Sequence, residues 1–255
     1  MTLFTYTTGQ GPDVVLLHGW GMNGDVWEGI LPALTARYRT TIVDLPGHGR
    51  SMNSLDDYNL PNLARTIAAA IPQKAIVVGW SLGGMVASQL ALDNPAQVTK
   101  LILVASAPQF VRDTSWPDGT DDTMLKGFAD ELTQNYQQTI KRFIAIQALG
   151  SDHAREQQRI LRERVFRHGQ PQAAALEGGL DILRSANLRP QLANINCPTL
   201  FIAGEMDSLF RPAAAQRAQG LMTDADLSVI DKAGHAPFLS HPDEFLQSLT
   251  RFIDD

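Results

Sequence analysis

The chain has 255 residues, 44% of them hydrophobic and 19% charged, and a formal net charge of −6. This is the composition of a globular protein with a sizeable core, and its acidity speaks against nucleic acid as the main ligand. The lone Cys197 excludes an internal disulfide framework, no Cys–His cluster suggests zinc, no apolar run nears the ~20 residues of a membrane span, and Met1–Gln10 lacks a signal-peptide pattern.

In chain order, Val14-Val15-Leu16-Leu17 reads as a buried strand, and Asp25–Ala36 has helical spacing. Thr40-Thr41-Ile42-Val43 is the next strand, followed by a helix over Leu60–Ala70 with Pro61 in its first turn. Ile76-Val77-Val78 leads into a helix over Leu82–Asp93, and Leu101-Ile102-Leu103-Val104 is a fourth strand. Continuous apolar runs alternating with helices predict an α/β fold with a mainly parallel, doubly wound sheet. From about Pro108 to Asn187 strand-like runs vanish, and Gln, Arg, Ala and Leu fill long helical stretches. Strands return at Thr199-Leu200-Phe201-Ile202 and Leu227-Ser228-Val229-Ile230, and a helix over Asp243–Ile253 closes the chain. The expected organisation is one α/β core in two parts, 1–107 and 188–255, interrupted by a helical insertion over 108–187.

Gly79-Trp80-Ser81-Leu82-Gly83 puts a serine between two glycines at a strand-to-helix junction. A turn that tight holds the serine backbone in strain and points its hydroxyl out at the top of a sheet, as in a nucleophile elbow. A serine nucleophile needs a base, and the base needs an orienting acid. Asp207 follows the strand ending at Ala203 through Gly204-Glu205-Met206, and His235 follows Val229-Ile230 through Asp231-Lys232-Ala233-Gly234. Both sit where acid and base belong in the order Ser, Asp, His. Glu205 is the alternative acid. His48, His153, His168 and His241 are read as structural, capping or surface residues. An oxyanion requires donors, for which the backbone N–H groups of Leu82 and of Trp20, in His18-Gly19-Trp20-Gly21, are the candidates. No metal or organic cofactor is needed for such chemistry.

With these motifs, and with Asp44-Leu45-Pro46-Gly47-His48-Gly49-Arg50-Ser51 and Ala233-Gly234-His235-Ala236-Pro237, the sequence resembles the α/β-hydrolase superfamily over its whole length. Arg142-Phe143-Ile144-Ala145-Ile146-Gln147, Gly178-Gly179-Leu180-Asp181-Ile182-Leu183 and His235–Pro242 narrow the likeness to the pimeloyl-[acyl-carrier protein] methyl ester esterases of biotin synthesis. The resemblance implies an α/β-hydrolase fold with a helical cap and a triad of Ser81, Asp207 and His235. It implies substrate contacts at Trp20, Leu82, Phe143, Ile144, Ala145, Ile146 and Gln147, and contacts to an acyl-carrier protein at Arg142, Arg155 and Arg159. Gln138 stands where that family's pattern has an arginine. The implied enzyme is a cytoplasmic, monomeric serine carboxylesterase acting on a carrier-bound pimeloyl methyl ester and on small esters.

Independently of any family, Lys141–Arg167 holds seven Lys or Arg against three Asp or Glu. Arg155, Arg159 and Arg162 share one helical face, and such a face attracts an acidic partner. Ile140, Phe143, Ile144 and Gln147, also at helical spacing, are suited to roof a pocket above Ser81. A broad short-chain carboxylesterase, a lyase of the same fold and a hydrolase-like receptor remain the alternatives.

Overall fold

The computed structural model describes residues 2–132 and 135–255. Seven strands form one sheet: β1 (Thr5–Thr8), β2 (Asp13–Leu17), β3 (Arg39–Val43), β4 (Ala75–Trp80), β5 (Val98–Val104), β6 (Thr199–Gly204) and β7 (Ala225–Ile230). Their order across the sheet is β1-β3-β2-β4-β5-β6-β7, antiparallel only between β1 and β3. Every residue of β4 and β6 is buried, as the apolar runs of a covered parallel sheet require. The helices are α1 (Leu31–Thr35), α2 (Leu60–Ala68), α3 (Leu82–Asp93), α4 (Asp122–Leu132), α5 (Tyr136–Gln147), α6 (Ala154–Val165), α7 (Ala173–Ser185), α8 (Pro212–Gln219), α9 (Pro237–Ser240) and α10 (Pro242–Asp254).

Helix α3 packs against β4 and β5, α8 and α10 against β6 and β7, and α1 against β3. Helices α4 to α7 all fall between β5 and β6; α4 touches α5 and α7, and α5 touches α6. Among the described residues no helix is long and apolar enough to cross a membrane.

Three of the departures from the sequence expectation have a plain physical cause. The helix over Asp25–Ala36 is two pieces: a single 3₁₀ turn over Gly24–Trp27, capped by the Asn23 side chain, and then α1. Pro32 is the reason, because a proline inside a continuous helix has no N–H to give and its ring collides with the preceding turn. Strand β1 is polar and largely exposed, so it carries no apolar run; it pairs with β3 in the register Thr5↔Val43 to Thr8↔Thr40. Helix α8 buries only Ala214, Ala215 and Ala218, side chains too small to mark a face in the sequence.

Candidate active site

Ser81 leaves β4, the central strand, at φ +55°, a left-handed conformation that is strained for any residue with a β-carbon. The flanking glycines make the turn possible. A Cβ on Gly79 would lie 2.3 Å from the Gly83 carbonyl oxygen, and one on Gly83 would lie 2.5 Å from that of His18. The turn is fastened to its neighbours: the Ser81 N–H donates to the Val104 carbonyl (2.9 Å) and the Ser106 hydroxyl to the Ser81 carbonyl (2.7 Å).

Asp207 follows β6 and His235 follows β7, so all three residues gather at the carboxyl ends of parallel strands of one sheet, with β5 between β4 and β6. Asp207 Oδ2 lies 2.7 Å from His235 Nδ1, with both side chains essentially buried. The other carboxylate oxygen accepts from the backbone N–H groups of Leu209 (2.8 Å) and Phe210 (2.9 Å), which fixes the acid in place. With Nδ1 committed to a carboxylate, the imidazole carries its proton there and keeps Nε2 as a free base. Nε2 is buried without a partner among the described residues. Ser81 and His235 face one cavity, lined further by Phe110, Leu125, Phe143 and Leu183. Glu205 does not compete for the histidine; its carboxylate accepts from the Lys232 N–H at 3.1 Å.

The His235 loop is held from two sides. Its N–H donates to the Gln147 carbonyl (3.0 Å) at the end of α5, and its carbonyl accepts from Trp80 Nε1 (2.8 Å). Trp20 is fully buried; its indole donates to the Leu176 carbonyl (2.8 Å) and meets Phe143 edge-on at 5.0 Å between centroids. Neither the Trp20 nor the Leu82 backbone N–H meets an acceptor among the described residues. Of the segment expected to contact substrate, Phe143 lines the cavity, Ile144 and Gln147 are buried, and Ala145 and Ile146 are half-buried.

A family model described as "alpha/beta hydrolase fold" matches residues 12–242. The chain is 47% identical to the pimeloyl-[acyl-carrier protein] methyl ester esterase of Aeromonas hydrophila subsp. hydrophila, over 96% of each chain. It is 43% identical to the esterase of the same name from Serratia marcescens, over 98% of each. The chain belongs to the α/β-hydrolase family. Solved α/β-hydrolase structures share its shape: an esterase from Exiguobacterium antarcticum superposes with a TM-score of 0.89 at 24% identity, covering 99% of this chain and 96% of that one. A bromoperoxidase from Bacillus anthracis gives 0.88 at 21% identity, covering 99% and 95%. Their different names on one scaffold make this likeness evidence of fold alone.

In this α/β-hydrolase two further histidines brace the loop that carries Trp20: His48, which the sequence already marks as structural, and His18, whose bracing role sequence reasoning missed. His18 Nδ1 donates to the Gly19 carbonyl (2.8 Å), and its Nε2 accepts from the Leu45 N–H (2.9 Å). His48 Nδ1 donates to the Pro46 carbonyl (3.0 Å), and its Nε2 accepts from the Gly21 N–H (3.3 Å). Burial lowers the pKa of both, that of His48 to about 3, so each is a neutral spacer between the two loops. Asp44 anchors the lower loop. Burial would raise its pKa, but the Arg50 guanidinium at 2.7 Å outweighs that and holds it below the usual carboxylate range.

The basic residues of the insertion divide between two settings. Arg155, Arg159 and Arg162 are exposed on α6, while Gln157, Leu161 and Val165 form its buried side. Arg164 and Arg167 instead turn toward Asp25 and Glu28 beside the 3₁₀ turn, where His168 Nε2 also meets Asp25 at 2.8 Å. Gln138 is exposed near the start of α5, where its backbone N–H caps onto Asn135.

Proposed function

We propose that this protein is a serine carboxylesterase that hydrolyses the methyl ester of pimeloyl-[acyl-carrier protein] methyl ester to pimeloyl-[acyl-carrier protein] and methanol in biotin synthesis. The carrying observation is the buried Asp207–His235 pair, with Nε2 unpartnered among the described residues and His235 lining the same cavity as Ser81 on its strained turn. The substrate assignment is supported by the full-length likeness to esterases of that name.

In this reading Ser81 Oγ attacks the ester carbonyl carbon while His235 Nε2 takes its proton and Asp207 stabilises the imidazolium. The backbone N–H groups of Trp20 and Leu82 receive the oxyanion, and each such donor is worth ~2.7–4 kcal/mol of transition-state stabilisation. The C–O bond to methoxide breaks, and His235 returns the proton to give methanol. Water then attacks the acyl-enzyme; His235 takes its proton, the acid leaves and Ser81 regains its hydrogen. Helices α4 to α7, within 108–187, cap a core made of 1–107 and 188–255. Phe143 to Gln147 lie against the acyl chain. The carrier protein meets Arg142, Arg155 and Arg159, and the enzyme works as a cytoplasmic monomer.

The test is release of methanol and of the free acid from carrier-bound pimeloyl methyl ester, followed by mass spectrometry, with Ser81→Ala as control. Turnover by the intact protein and none by a folded Ser81→Ala is expected. Near-normal turnover by Ser81→Ala would sink the triad assignment. Hydrolysis of p-nitrophenyl esters without hydrolysis of the carrier-bound ester would leave only the broad carboxylesterase reading.

A further inference from the structure

The cavity shared by Ser81 and His235 measures about 10 Å³, room for about one water, so an acyl ester binds only when a wall moves. Two of its lining residues, Thr120 and Leu209, also line a neighbouring outward cavity of about 190 Å³. They form the partition between the two spaces. The outer cavity has a charged rim of Arg112, Asp118, Asp121 and Arg211, whereas the inner one is walled by Phe110, Leu125, Phe143 and Leu183.

The backbone on both sides of this partition is pinned. The Thr120 N–H donates to the Phe110 carbonyl (2.7 Å) and the Arg112 N–H to the Thr120 carbonyl (2.9 Å). The Thr120 hydroxyl bridges to the Leu209 carbonyl on the opposite wall. The Leu209 N–H is held by the Asp207 carboxylate, so moving this backbone would pull on the acid that orients His235. The Leu209 side chain is the part of this wall that can change rotamer without moving that backbone.

We infer that the Leu209 side chain is the gate of the acyl channel, and that the substrate lies with its ester end inward at Ser81 and its polar tether outward among Arg112, Asp118, Asp121 and Arg211. This rests on the esterase reading above, which sets the direction, and adds the gating residue and the rim toward which it opens. An apolar chain with a polar tether matches the change from an apolar inner wall to a charged rim. Cutting the far end of such a chain requires this orientation, since the tethered end must stay outside.

The chain-length preference tests it. In Leu209→Ala the ratio of kcat/KM for p-nitrophenyl octanoate to that for the acetate rises roughly tenfold, and in Leu209→Trp it falls by a similar factor, the scale of methylene discrimination in apolar pockets. An unchanged ratio in both folded variants overturns the gate. A second arm leaves Leu209 intact: Ser208→Cys on the outer rim, in a Cys197→Ser background, is labelled with a bulky maleimide. Octanoate turnover falls at least about tenfold by the same steric argument. The same label on Asp226→Cys, at the opposite end of the sheet, leaves it intact. Equal turnover by the two labelled proteins also overturns the gate. Neither arm uses the carrier-bound ester, so loss of the carrier assignment and loss of the gate are separate results.

Discussion

His48 makes acid stability a direct probe of the Trp20 loop. Its Nε2 accepts from the Gly21 N–H and its Nδ1 donates to the Pro46 carbonyl, a pairing open only to the neutral ring. Burial, and then the nearby His18, push its pKa from 6.5 down to about 3; the Pro46 bond and Asp44 act the other way. The unfolded chain therefore takes a proton below pH 6.5 that the folded protein refuses until about pH 3. Stability from this residue is full above 6.5 and declines by about 1.4 kcal/mol per pH unit as the pH falls toward 3. At pH 5 the loss is roughly 2 kcal/mol, a large share of a typical folding free energy. The comparison variant is His48→Gln, which offers the Gly21 N–H a carbonyl acceptor and does not titrate. Urea unfolding at pH 7.5, 6 and 5 should show the wild type losing about 2 kcal/mol more than the variant over that range. His18 remains in both proteins and largely cancels. Parallel stability curves for the two proteins would refute the claim that a neutral His48 bridges the loops.

Gly79→Ala drives a Cβ to 2.3 Å from a backbone carbonyl that no side-chain rotation can relieve, so soluble yield and melting temperature should both drop sharply. Trp80→Phe leaves the buried His235 carbonyl without its donor; a stability loss of about 1–3 kcal/mol by denaturant titration and a lower kcat are expected. Asp25→Ala removes one buried carboxylate that meets Arg50, Arg167 and His168; Arg50 keeps Asp44 and Arg167 keeps Glu28, so a loss of about 1–3 kcal/mol is expected in the same titration. Arg155→Glu combined with Arg159→Glu should lower kcat/KM on the carrier-bound ester roughly tenfold more than on p-nitrophenyl acetate, with the difference shrinking at high salt.

What the sequence revealed followed from how strongly each element is punctuated. Helix α3 runs over Leu82–Asp93 as expected, because the strained turn at Ser81 starts it abruptly and Asn94-Pro95 ends it. Asp207 and His235 were legible because each comes a few residues after a strand's end, where parallel topology delivers functional side chains. Phe143 apart, the walls of the site were not. Leu125, Leu183 and Leu209 are ordinary apolar residues from α4, α7 and the loop after Asp207, and spacing within one element says nothing of convergence among three. His18 and His48 look like isolated histidines in sequence; the function of each rests on one bond across 27 residues, joined to a second bond one or two residues away, and no local pattern encodes the long one.

The basic excess of 141–167 has a smaller outward effect than its count suggests. Arg164 and Arg167 direct their charge to Asp25 and Glu28, which fastens the end of α6 to the 3₁₀ turn and leaves them unavailable to a partner. Arg142 is paired with Glu131, and Arg159 with both Glu156 and Glu163. Among the described residues Lys141, Arg155 and Arg162 have no ion pair. An acidic partner must therefore displace Glu131, Glu156 and Glu163 to reach two of the three arginines expected to contact it. Exposed pairs of that kind are worth only about 0–1 kcal/mol, so the exchange costs little. Affinity gained by exchanging one carboxylate for another is small for the same reason. The remaining advantage is the long-range field of an unpaired basic face, which raises the encounter rate and is screened within about 8 Å at physiological salt. On the proposed function, a surface built this way captures a carrier quickly and releases it easily.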